Sequence, residues 1–185
     1  MKKIDLHLHT KPSQYSDSAF IFSLPKLKEY VEKLAIDCIA VTNHNLFDLP
    51  QFNQISEELG IKVLPGIEIN LEKGHLLLIS ENSELEDFEA KCSQVESLIT
   101  SESEFISVQK LKEIFVDLSR YLLIPHYDKT PIIRPEIIEQ LKPHITSGEV
   151  TSAKKFKYCL KDSNSLIPVL FSDLRFTDHM TAFSP

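Results

Sequence analysis

Short strand-like runs alternate with longer segments whose apolar residues recur at helical spacing, and this alternation limits the chain more than any other feature. Residues 2–9 alternate apolar and polar, with Ile4, Leu6 and Leu8 on one face, and read as a strand. Residues 10–22 follow as a polar loop. Ser23 is placed to cap a helix running to about Leu34, with Leu24, Leu27, Tyr30, Val31 and Leu34 on one stripe. Residues 37–42 form a short buried strand. Asp48 then caps a second helix, with Gln51 as its capping-box partner, Phe52, Ile55 and Leu59 facing inward, and Gly60 ending it. The pattern continues with strands at 61–70 and 75–79, then helices at 84–100 and 107–118. The first of these helices aligns Leu85, Phe88, Cys92, Val95 and Ile99. A strand at 121–125, a short helix at 135–141, a strand at 145–151, a helix at 152–162 and a last strand at 166–172 complete the chain. About seven strands interleaved with helices specify an α/β fold around a mainly parallel sheet.

Periodicity alone does not separate a barrel from an open sheet, but the polar residues favour the barrel. His7 and His9 end the first strand. Asn43, His44 and Asn45 follow the second, Glu68 lies near the end of the third, His126 closes the fifth, and Asp173 follows the last. Parallel α/β barrels gather their chemistry at this end of the strands. His75 is the exception, because it precedes its strand, which either runs against the others or carries a distortion.

Composition excludes several classes. A length of 185 residues with 42% hydrophobic content suits one domain with a sizeable core. No run has the apolar length of a membrane span, and the first residues lack a signal-peptide core. Cys38, Cys92 and Cys159 are widely spaced with no CxxC pair, which fits buried thiols in a reducing cytoplasm. The net charge of −7 argues against gripping nucleic acid by charge alone. Clustered carboxylates do invite divalent cations, which reverse the local field. With only Gly60, Gly66, Gly74 and Gly148 present, no Gly-rich nucleotide loop can be built.

The strongest local signal is Asp5-Leu6-His7-Leu8-His9. Histidines at i and i+2 share one side of a strand and can pinch one metal ion through neutral imidazole nitrogens. Five of the seven histidines (His7, His9, His44, His75 and His126) fall at predicted strand ends or starts. Glu68 and Asp173 add carboxylates at the same rim, where packing alone would not place so many ionisable groups.

Taken as a set, these residues resemble the PHP family, the polymerase and histidinol phosphatase domain. Residues 5–10 (DLHLHT) are similar to its opening motif, Tyr15-Ser16-Asp17-Ser18 to its YSDG element, and Thr42-Asn43-His44-Asn45 to its TDHD element. Pro65-Gly66-Ile67-Glu68-Ile69, Gly74-His75-Leu76, Ile124-Pro125-His126 and Ser172-Asp173-Leu174-Arg175 match the later motifs in order. The resemblance implies a distorted seven-stranded (β/α) TIM-like barrel over 1–185, carrying two or three zinc, manganese or iron ions. By position, His7, His9, Glu68 and Asp173 would hold one ion. Glu68 would bridge to a second, held with His75 and His126, and Asp17 and His44 would contribute to a third. Two departures stand out. Asn43 and Asn45 replace the usual aspartates. Arg175 replaces the closing histidine and cannot ligate a cation, which removes a ligand from the third site. His179 reads as a tail residue, not a substitute ligand. The chain stops twelve residues after Asp173 with no closing helix, so it is expected to be the first part of a longer protein. PHP domains are often fused to polymerase or ATPase modules, which implies a fused or partner module of that kind.

The expected function is a metal-dependent phosphoesterase acting on a nucleotide, a nucleic-acid end or a small phosphate monoester, with Arg175 either clamping the phosphoryl group or pairing with a neighbouring carboxylate. Two alternatives remain open. One is a TatD-like or amidohydrolase-type metallohydrolase, the other a non-catalytic PHP relic serving as a scaffold or regulator. Tyr127, Lys129 and Arg134 could line the substrate mouth. Lys154, Lys155, Lys157 and Lys161 read as a solvated helix face in preference to a nucleic-acid contact.

Overall fold

Each apolar run of the sequence becomes a strand of one sheet in the computed structural model, which describes residues 2–15, 17–72, 74–162 and 165–183. The strands are β1 (Ile4–His9), β2 (Cys38–Val41), β3 (Lys62–Leu71), β4 (Gly74–Ile79), β5 (Leu122–Asp128), β6 (Ser147–Val150), β7 (Ile167–Val169) and β8 (Leu174–Arg175). The helices are α1 (Leu24–Leu34), α2 (Leu49–Leu59), α3 (Leu85–Leu98), α4 (Val108–Phe115), α5 (Pro135–Leu141) and α6 (Ala153–Cys159). The spatial order of strands is β7-β6-β5-β4-β3-β2-β1-β8. Neighbours are parallel except at β4, which runs against both β3 and β5.

Local signals account for the helix starts. Ser23 Oγ accepts the Lys26 N–H at 3.4 Å, and Asp48 Oδ1 accepts the Gln51 N–H at 2.8 Å. Gly60 ends α2 at φ 64°, in the left-handed region that glycine enters at no steric cost. The capping box expected of Gln51 does not form. Its amide instead donates to the Thr10 carbonyl (3.0 Å), and its carbonyl accepts the Thr10 hydroxyl (2.7 Å), which ties α2 to the loop after β1.

Side-chain contacts across the sheet reveal its curvature. β1 and β6 stand five positions apart in the order, about 24 Å in a flat sheet at about 4.8 Å per strand. Yet His7 Nδ1 on β1 lies 2.8 Å from Glu149 Oε2 on β6. The sheet is therefore curled into a trough. Its convex side packs Leu8, Ile39, Val41, Ile67 and Ile69 into the main core, together with Leu27, Phe52, Phe88 and Leu111 from the helices. Its concave side carries a separate apolar cluster of Leu6, Ala40, Leu77, Ile79, Ile124 and Phe171.

Leu6 and Leu8 thus lie on opposite faces, not on the single face that simple alternation predicts. The cause is a bulge in β1. Asp5 pairs with Ile39 and Leu8 with Val41, so three steps on β1 match two on β2. The extra residue turns both Leu6 and His7 into the trough, and bulges commonly re-aim a side chain in this way next to functional sites.

The seven-stranded closed barrel is met only in part. The last predicted strand stops at Val169, and a further two-residue strand, β8, pairs with β1 on the far side. Asp173 between them has φ 51°, which breaks the extended course of the chain. Among the described residues no ladder joins β7 to β8.

Candidate metal centre

The rim of the trough gathers the polar residues that the sequence singles out. His7 and His9 end β1, His44 follows β2, Glu68 lies on β3, His126 on β5, and Asp173 links β7 to β8. His75 joins them because β4 is antiparallel, so its first residues reach the rim where the parallel strands end. Backbone bonds fix the frame. The Asp173 N–H donates to the His7 carbonyl (2.8 Å), the Glu68 N–H to the Asn43 carbonyl (3.0 Å) and the Asn45 N–H to the Glu68 carbonyl (2.7 Å).

Four donor atoms meet at the centre. His7 Nε2 lies 3.1 Å from His9 Nε2, 3.0 Å from Glu68 Oε2 and 3.5 Å from Asp173 Oδ1. His9 Nε2 lies 3.3 Å from Glu68 Oε2 and 3.0 Å from Asp173 Oδ1. Donors bound tetrahedrally at about 2.0–2.1 Å stand about 3.3–3.4 Å apart, so His7, His9 and Glu68 are spaced for one small cation, with Asp173 Oδ1 beside both histidines. The other carboxylate oxygen of Glu68 faces a second group. Oε1 is 2.6 Å from His75 Nδ1 and 3.2 Å from His126 Nε2. Neither ring nitrogen of His126 makes an aligned hydrogen bond to a described residue, although the ring is buried. Buried imidazoles normally satisfy their nitrogens, and a cation beside Glu68 Oε1 would satisfy Nε2.

The third predicted group also converges, since His9, Asp17 and His44 bring donor atoms close enough together to hold an ion. Asp17 Oδ1 lies 3.8 Å from His44 Nε2, and it accepts from Arg175 Nη2 (2.7 Å) and Nε (3.1 Å). Arg175 Nη1 also lies 3.3 Å from Asp173 Oδ1. A guanidinium thus pairs with the carboxylate expected to serve a third ion. Of the two roles considered for Arg175, the carboxylate pairing is present. His44 Nε2 turns to Glu68 Oε2 at 3.1 Å. Ser16 of the YSDG-like element lies outside the described residues. His144 and His179 join no group of metal-binding geometry among the described residues.

The asparagines that replace aspartates have local partners. Asn43 Oδ1 accepts the N–H groups of Thr10 (2.6 Å) and Lys11 (2.9 Å), and Asn45 Oδ1 accepts that of Asn70 (2.8 Å). They hold the rim loops in place and leave the donor cluster to other side chains.

Two buried ionisable residues at the centre escape the sequence reading of ligands. Glu149 on β6 places Oε2 2.8 Å from His7 Nδ1 and 3.4 Å from His126 Nε2. A carboxylate ending a predicted strand is the same signal that marks Glu68, so Glu149 was findable. Lys129 lies not at a substrate mouth but inside the cluster, with Nζ 2.8 Å from Glu149 Oε1. Tyr127 is half-buried, and the exposed Arg134 pairs with Glu136 at 3.6 Å. In the lysine run, Lys155 pairs with Asp128 at 2.5 Å.

Burial sets carboxylates and imidazoles against one another here. Burial alone would lower the His7 pKa, but the carboxylates of Glu68 and Glu149 outweigh it and raise the value to about 10. His44 goes the other way. Burial, with His9 and His75 nearby, lowers it to about 3 against the pull of Glu68 and Asp17. Burial opposes ionisation of Glu68, Glu149 and Asp173, but the surrounding imidazoles, joined by Lys129 at the last two, hold all three carboxyls below their ordinary values. A cleft of about 430 Å³ lined by Tyr15, Asp17, Ser18, Asn70, His75 and Glu102 opens beside the centre.

The model of the PHP domain family matches residues 5–141. No curated protein matches the chain in sequence. Among solved structures, PsfC from Pseudomonas syringae PB-5123 superimposes with a TM-score of 0.60 at 14% identity, over 93% of this chain and 75% of that one. A Bifidobacterium adolescentis protein, inferred to be a metal-dependent phosphoesterase, superimposes with a TM-score of 0.57 at 13% identity, over 96% of this chain and 93% of its own. At such identities the two structures are evidence of a shared fold.

Proposed function

The chain belongs to the PHP domain family, and from that premise we propose that it is a metal-dependent phosphoesterase with a two-ion centre. His7, His9, Glu68 and Asp173 would hold one ion, and Glu68, His75 and His126 the other. One observation carries this reading: five donor–donor distances among His7, His9, Glu68 and Asp173 fall between 3.0 and 3.5 Å, from three segments far apart in sequence. The description of the Bifidobacterium neighbour supports the same activity. Zinc, manganese and iron all suit this mixture of imidazole and carboxylate.

Bound ions would supply Lewis acidity toward phosphoryl oxygens and lower the pKa of a water to about 7. The chain's own residues do the rest. Glu149 accepts the Nδ1–H of His7 and so directs its Nε2 lone pair at the donor cluster. Asp17 and Asp173 hold Arg175 at the mouth, with its side chain one-third exposed, where remaining N–H groups can meet a phosphoryl oxygen. That clamp is the role we assign to Arg175. The apolar floor under the histidines keeps bulk water from the inner side.

A phosphorylated small molecule or a nucleic-acid end fits the cleft chemically. The net charge of −7 and Glu102 on the cleft wall favour the small molecule. We regard the curled sheet as an incomplete relative of the (β/α) barrel, and a fused or separate ATPase or polymerase module as its partner.

Elemental analysis of protein purified without chelator tests this reading. So does turnover of p-nitrophenyl phosphate and its bis-ester with added Mn²⁺. We expect two ions per chain, with metal and activity both lost in His9→Ala. Equal turnover by the two proteins would remove these residues from the chemistry. Metal without turnover of any phosphoester would favour a regulatory relic, and turnover of amides in place of esters an amidohydrolase.

A further inference from the structure

Lys129 follows β5 and is only 8% exposed, although lysine is rarely buried without a partner. A second bulge puts it there. His126 pairs with Glu149, and Asp128, two residues on, pairs with the very next residue, Val150. This extra residue reverses the alternation after His126. Asp128 turns outward to Lys155 on α6, and Lys129 turns into the trough.

Inside, Lys129 Nζ lies 2.8 Å from Glu149 Oε1, 3.0 Å from Asp173 Oδ2 and 2.9 Å from His7 Nδ1. Glu149 belongs to β6, near one end of the strand order. Asp173, immediately before β8, and His7 on β1 lie at the other. The oxygens divide cleanly. The lysine takes Oε1 of Glu149 and Oδ2 of Asp173. Glu149 Oε2 faces His7 Nδ1 at 2.8 Å, and Asp173 Oδ1 faces His9 Nε2 at 3.0 Å. One ammonium thus fixes the rotation of two carboxylates whose inner oxygens touch the metal-binding histidines.

We propose that Lys129 is a positioning residue that sets the metal affinity of the centre by bridging Glu149 and Asp173 across the open side of the sheet. The proposal rests on the metal-centre reading given above. It makes a prediction of definite sign. An ammonium is a cation near a cation site, so a lysine with no positioning role would repel the ion, and its removal would tighten binding. Removal of a positioning group weakens binding, typically about 10–100-fold for groups that orient metal ligands.

The test is competition of metal-free protein with a chromophoric chelator for Zn²⁺, with melting in chelator recorded alongside. Wild type, Lys129→Met, Glu149→Gln, the double variant and His9→Ala are compared. Lys129→Met is expected to bind Zn²⁺ about 10–100-fold more weakly. The loss should largely vanish in the Glu149→Gln background, where the bridge is already cut. Unchanged or tighter binding by Lys129→Met overturns the proposal. So does a lower melting temperature with unchanged Zn²⁺ affinity of the folded protein, the mark of a purely structural ion pair. Additive losses in the double variant overturn it as well. If Lys129→Met does not fold, Lys129→Gln takes its place with the same expected and overturning results. If wild type binds no more Zn²⁺ than His9→Ala, the metal centre itself is wrong and the proposal falls with it. If wild type binds and His9→Ala does not, a failure at Lys129 is a failure of the bridge alone.

Discussion

His7 stands between two carboxylates, Glu68 on its Nε2 side and Glu149 on its Nδ1 side, and its protonation couples the centre to pH. In metal-free protein its pKa of about 10 stabilises the fold fully below about pH 6.5, the unfolded value, and the effect is lost as pH rises toward 10. His44 has the opposite sign. Its folded value of about 3 costs nothing above 6.5 and destabilises increasingly as pH falls toward 3. The depressed carboxyls of Glu68, Glu149 and Asp173 also lose their contribution in acid. Stability in chelator should therefore peak near pH 6.5, with each titrating proton contributing at most about 1.4 kcal/mol per pH unit. Urea midpoints measured at several pH values on either side check this, and a midpoint that climbs steadily into the alkaline range contradicts it. At this scale much was readable in advance. Histidines and carboxylates at strand ends announce a shared rim. What could not be read was which carboxylate Arg175 would pair with, because Asp17 lies 158 residues away in sequence.

Bulges and strand direction decide which of these residues meet. Helices and longer strands were legible because their apolar stripes and capping residues each act within a few positions. The β1 bulge was not, because one extra residue leaves the alternation of 2–9 intact in the sequence while splitting Leu6 from Leu8 in space. β8 was missed for a plainer reason, since two residues are too few to carry a period. β5 and β6 offer an element-scale test. A Cβ on Gly148 would lie 2.4 Å from Tyr127 Cβ, so the two strands approach closely only because position 148 has no side chain. Gly148→Ala should force them apart beside Glu149, at a cost of about 1–3 kcal/mol. Chemical denaturation reads the loss, and weaker Zn²⁺ uptake should accompany it. A variant as stable as wild type would mean that this spacing has slack.

For the whole molecule, the alternation of strand and helix was enough to specify an α/β sheet with its chemistry at one rim. The curl was not, because Glu149 and His7 are separated by most of the chain and touch only once the strand order is known. The unclosed edge between β7 and β8 leaves cross-trough contacts at the rim to hold the two ends together. Bound metal should therefore stabilise the entire fold. At a free-ion level 100 times the dissociation constant, linkage gives about 2.7 kcal/mol, or roughly 5–10 °C in melting temperature for a chain of this size. Scanning calorimetry with Mn²⁺ and then with chelator measures the difference, and coincident transitions would count against a metal shared by both ends. The layer of Leu6, Ala40, Leu77, Ile79, Ile124 and Phe171 beneath the histidines has its own consequence. It closes the inner side of the centre with hydrocarbon and leaves the rim side for exchange. Under the proposed function, substrate would therefore enter and products leave on the rim side, not through this layer.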